Sequence, residues 1–70
     1  MRYKLTAQLG RRKSQAIIIA ADSMVATLDA VDIIIQRAAR FPTGPWALGR
    51  IVLKDCEGKI IHSMNAKAPA

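Results

Sequence analysis

Seventy residues, 51% of them hydrophobic, make one small domain near the lower size limit for a self-sufficient core and exclude a disordered chain. Eleven basic residues against five acidic ones leave a formal charge of +6 and an isoelectric point near 10.3, which favours a polyanionic partner or an acidic protein surface. One cysteine, Cys56, and one histidine, His62, exclude an internal disulfide and argue against a structural zinc site within one chain, leaving oligomerisation as the remaining support for so small a core.

RYKLTAQL (residues 2–9) alternates, with Tyr3, Leu5, Ala7 and Leu9 on one side and Arg2, Lys4, Thr6 and Gln8 on the other. A period of two predicts a half-buried strand with a polar outer face. GRRKS (10–14) reads as a hairpin turn in which Gly10 supplies the freedom and Arg11, Arg12 and Lys13 form a cationic tip. QAIIIAA (15–21) reads as a second strand, and its consecutive isoleucines predict burial on both faces or a central place in the sheet.

DSMVATLDAVDIIIQRAARF (22–41) is the one helix, capped by Asp22 or Ser23 and stopped by Pro42. At 100° per residue Met24, Leu28, Val31, Ile35 and Ala38 share a stripe, flanked by Ile34 and Ala39, that is expected to pack on the sheet. Asp29, Asp32, Gln36, Arg37 and Arg40 occupy the other side, the acids early and the bases late, as suits the helix dipole. Ile33 falls on that polar side. With Ala26 and Ala30 nearby it is either a lone exposed isoleucine or a contact point for a partner or second copy, alongside Arg37 and Arg40.

FPTGPWALG (41–49) is a crossing loop, with Trp46 placed to pack over the helix end. RIVLKD (50–55) and KIIHSM (59–64) form a second hairpin that turns at Gly58. NAKAPA (65–70) reads as a loose end, so the expected domain runs over 1–65 with a tail at 66–70. The order predicts an α+β fold, β-β-α-β-β: a four-stranded antiparallel sheet with one helix on one face.

Catalytic chemistry finds little foothold. Asp29 and Asp32, at i and i+3 on a helix, are ordinary surface acids; Cys56 sits beside Asp55 and Glu57, which discourage a thiolate; the four glycines have no phosphate-loop spacing. The expectation is a non-enzymatic protein without cofactor or metal. No run approaches the roughly 20 apolar residues of a membrane span, and AIIIAA is too short and too far in for a signal peptide, so the expected location is cytoplasmic.

If Tyr3, Leu5, Ile51 and Leu53 face the helix, then Arg2, Lys4, Arg50 and Lys54 face solvent, with Arg11, Arg12 and Lys13 at one end. Such a surface suits three uses. It can bind DNA or RNA through phosphates, without an aromatic platform for bases. It can dock on an acidic protein or nucleoprotein complex. Or the chain can be a homodimeric or accessory module, paired through an edge strand or Ile33. Through RYKLTAQL, AIIIAA, TLDAVDIIIQRAAR and GRIVLKDCEGKIIHSM the chain resembles, in size, charge and element order, small phage-encoded anti-CRISPR proteins. The resemblance is architectural and transfers no residue roles. It implies an inhibitor in the host cytoplasm that docks on a CRISPR surveillance complex through a basic surface, with direct nucleic-acid binding as the alternative.

Overall fold

The structure is a computed structural model and describes residues 1–66. It contains β1 (Arg2–Leu9), β2 (Arg12–Ile19), α1 (Ser23–Arg40), α2 (Pro45–Leu48), β3 (Arg50–Lys54) and β4 (Ile60–Asn65). The strands form one antiparallel sheet in the order β2-β1-β3-β4, so the expected α+β class and the β-β-α-β-β order of the main elements hold.

Strands β1 and β2 pair in full, from Arg2 opposite Ile19 to Leu9 opposite Arg12. Only Gly10 and Arg11 are left to turn the chain. Gly10 has φ +60°, and a glycine at the first of two turn positions is the geometry that matches the twist of a hairpin. The cationic triplet is therefore not one loop: Arg11 is in the turn, while Arg12 and Lys13 begin β2. Nor is β2 central. It is an edge strand in which Ile18 is buried while Ile17 and Ile19 are exposed, because β3 returns to the free side of β1 and encloses that strand instead.

Helix α1 begins where expected. The Asp22 carboxylate accepts the Val25 N–H at 2.9 Å, and the Phe41 N–H closes the last turn on the Arg37 carbonyl at 2.8 Å. Its roll differs from the periodicity reading. The buried positions are Ala26 and Ala30, with Ile33 and Ile34 packed against the core, whereas Met24, Leu28, Val31 and Ile35 are 74%, 64%, 45% and 61% exposed. Ile33 is thus half-buried against the core rather than projecting outward. The helix has two apolar arcs, and the link from β2 selects between them. Ala20 is buried and its N–H is bonded to the Met1 carbonyl at 3.0 Å, and Asp22 already caps the helix. So short a link does not let the helix turn its larger side chains inward.

The crossing segment holds an element absent from the sequence reading. Gly44 precedes a single helical turn, α2, with Pro45 in its first position. This turn buries Trp46 in the core, with the Arg37 guanidinium over its ring at 5.0 Å. Gly49 then lets the chain pass tightly beneath: a Cβ there would overlap the Gln8 carbonyl oxygen and approach the Pro45 carbonyl oxygen at 2.7 Å. The Gly49 carbonyl also accepts the Ala66 N–H at 2.8 Å. Asn65 and Ala66, read from sequence as loose end and tail, are accordingly part of the fold, and 67–70 lie outside the described residues.

Replacing Gly49 with alanine is expected to cost about 1–3 kcal/mol through this overlap, measured as a lower urea midpoint at an unchanged denaturant slope. An unchanged midpoint would show that the passage between Gln8 and Pro45 has slack.

Candidate polyanion-binding surface

Alternation along the sheet sends Tyr3, Leu5, Ile51 and Leu53 to the helix side, and Lys4, Thr6, Gln8, Arg50, Val52 and Lys54 to the open side. The register then orders the open face in rows across the strands. Lys13, Gln8 and Arg50 form one row, Gln15, Thr6 and Val52 the next, and Ile17, Lys4 and Lys54 the third. The charged rows are two residue pairs apart, about 14 Å along strands spaced about 4.8 Å. Together they line a shallow depression of about 230 Å³ that contains Lys4, Lys13, Arg50 and Lys54 and no acidic side chain.

Within this face Lys4 and Lys54 are directly opposed on neighbouring strands. Like charges in that relation destabilise a sheet pair. None of the five acids lines this depression. Asp22 caps α1, and the Asp55 carboxylate accepts the Glu57 and Lys59 N–H groups, both at 2.9 Å, to shape the β3–β4 turn. Asp29 and Asp32 lie on α1, on the other layer. Arg2 also sits on the open side, opposite Ile19, and lines the adjoining surface with Lys4, Ile17, Lys54, Asp55 and Cys56.

On the helix wheel Arg37 and Arg40 fall on the side of α1 opposite the stripe expected to meet the sheet. The tertiary structure instead joins them to Arg12. The three arginines, with Ser14, Thr43, Trp46 and exposed Phe41, line an open cleft of about 690 Å³ that has no acidic lining. Arg12 and Lys13 are neighbours in an edge strand, so they project to opposite faces: Lys13 into the depression and Arg12 into the cleft. A basic band therefore crosses the edge of the sheet at the β1–β2 hairpin, with Arg11 at its tip. Stacking on Trp46 limits the freedom of Arg37 and keeps its guanidinium at the cleft.

The hydroxyls of Ser14 and Thr43 and the amides of Gln8 and Gln15 went unrecognised in the sequence as members of this surface. The one local signal was the Gly44-Pro45-Trp46 run, which marks a helical turn able to bring the end of α1 to β2. Cys56 and His62 do not meet. Cys56 borders the open face, while His62 lines a groove under α1 with Val31, Ile34 and Met64. Among the described residues, no helix is long and apolar enough to cross a membrane.

Neutralising one of the opposed lysines, as in Lys54→Gln, is expected to raise stability by ~0.2–1 kcal/mol at low ionic strength, with the gain shrinking as salt screens the pair. Thermal melts at two salt concentrations measure it. Lower stability at low salt would mean that the lysine stem is needed for packing and that the opposed charges are not the dominant effect.

Comparison with protein-family models, curated proteins and solved structures finds no match to this chain.

Proposed function

We propose that the chain is a non-catalytic binding protein that docks on the phosphates of a nucleic acid held in a nucleoprotein complex, using the basic band that runs from the open sheet face over the β1–β2 hairpin into the arginine cleft. The observation that carries this reading is the acid-free depression with Lys4 directly opposite Lys54. A sheet face that places like charges together, with no acid in the depression, suits an external anion better than its own stability.

The chemistry of the face sets the type of recognition. It offers ammonium and guanidinium groups with glutamine and threonine between them, and no aromatic side chain on which a base could stack. Recognition of this kind follows charge and shape and is blind to sequence. The cleft adds planar guanidiniums suited to bidentate hydrogen bonding with phosphate. A small inhibitor that docks on a guide-RNA surveillance complex through a basic surface, in the host cytoplasm, is the use that the anti-CRISPR resemblance suggests, and a small basic domain fits it.

The test is affinity capture of tagged protein from bacterial lysate in nuclease-treated and untreated halves, alongside titration against duplex DNA at several salt concentrations. Capture of a defined nucleoprotein complex at fixed stoichiometry supports the proposal. Disappearance of every captured species with nuclease, with no protein at fixed stoichiometry in the untreated half, points to free nucleic acid as the partner. In the titration, Lys4→Gln, Arg50→Gln and Lys54→Gln are each expected to weaken binding and to reduce the salt slope by ~0.9 for each phosphate that is no longer neutralised. If the triple variant captures the same species with the same affinity, the open sheet face is not the binding surface and the proposal fails.

A further inference from the structure

The most regular apolar stripe in the chain does not serve the core. Met24, Leu28, Val31 and Ile35 are spaced 4, 3 and 4 residues apart, the repeat of a helix–helix seam, and all four are exposed. Around the helix they centre about 145° from the arc of Ala26, Ala30, Ile33 and Ile34 that meets the core, taking 3.6 residues per turn. The stripe therefore faces largely outward at Met24, Leu28 and Ile35, with Val31 at its edge over the groove beneath α1.

We infer that it is the self-association surface of a symmetric dimer in which α1 packs antiparallel against α1 of a second copy. Three observations identify a second copy as the occupant. The first is area. At their exposures the four side chains present on the order of 500 Å² of apolar surface per chain, the size of patch that marks an interaction site. Two copies, with Val25, Thr27 and Ile34 drawn in at the flanks, together bury ~1,000–1,200 Å², the lower bound for a specific interface.

The second is register. A two-fold axis midway between Asp29 and Ala30 sets Met24 opposite Ile35 of the second copy and Leu28 opposite its Val31. The same 4-3-4 spacing read in either direction is self-complementary, as an isologous interface requires. The third is charge. On a protein of formal charge +6, the helix from Ser23 to Gln36 carries no cation, and its charges are Asp29 and Asp32. Two strongly basic molecules meeting there keep their cations out of the seam.

The assembly has four layers, sheet–helix–helix–sheet. Each open sheet face is outermost, so the dimer shows a basic face on both sides. This inference does not depend on the proposed partner, because the seam uses none of the cations of the basic band. A dimer that binds no nucleic acid would leave it intact.

Sedimentation equilibrium at micromolar concentration is expected to give twice the 7.6 kDa chain mass. Leu28→Glu is expected to weaken association at least ~100-fold, as for a residue at the centre of an interface. Should that variant unfold, cross-linking in a Cys56→Ser background decides the question. Met24→Cys mixed with Ile35→Cys is expected to form a disulfide-linked pair. Neither variant should do so alone, because each residue lies ~16 Å along the helix from its own symmetry mate, beyond disulfide reach. A monomer at about 200 µM wild-type protein, well above the dissociation constant of a specific dimer, overturns the inference. So does cross-linking of either single variant with itself in preference to the mixture.

Discussion

Two alanines seat the helix on the sheet. With Ala26 and Ala30 inward, α1 sits close enough for Ile33, Ile34 and the Trp46 ring to close the core over Tyr3, Leu5, Ile51 and Leu53. Small side chains at the crossing permit that approach, and dense packing then leaves no room for larger ones. The same roll turns Met24, Leu28, Val31 and Ile35 to solvent. The combination of a short link and a small-residue arc thus determines both what stabilises the single chain and what apolar surface remains outside it.

The sheet divides the molecule electrostatically. On the helix side the strands contribute mostly apolar groups, and the capping acid Asp22 accepts a backbone amide of α1. On the open side no acid lines the depression around Lys4, Lys13, Arg50 and Lys54, and Asp55 only borders the adjoining surface with Arg2. Position in an edge strand makes this more than a flat patch. Consecutive residues of β2 serve opposite faces, so Arg12 and Lys13 connect the open face to the arginines at the end of α1. A two-residue turn with Gly10 at its first position is what pulls both cations into the strand.

Much of this was legible from residue patterns. The alternation in RYKLTAQL set which side of β1 is polar, and the corresponding pattern in RIVLKD did the same for β3, so the strand pattern alone assigns Arg2, Lys4, Arg50 and Lys54 to one face. The Asp22 cap and the stop before Pro42 bounded the helix because they depend only on neighbouring backbone groups. The isoleucine run misled because apolar content alone does not distinguish a central strand from an edge strand. Ile33 misled for a related reason: a helix wheel ranks arcs by hydrophobicity, and the larger arc was not the one that faces the sheet.

Local chemistry by itself determined the element order, the cap, the turn and the polar side of the strands, since each is fixed by residues within a few positions of one another. Tertiary structure alone decided the roll of α1, the edge position of β2 and the meeting of Arg12 with Arg37 and Arg40. These depend on where the chain returns in space: β3 closing on β1, the β2–α1 link holding the helix, and the Pro45 turn carrying Trp46 beneath Arg37. No periodicity encodes such returns, because the groups they join are distant in sequence and their meeting is set by packing.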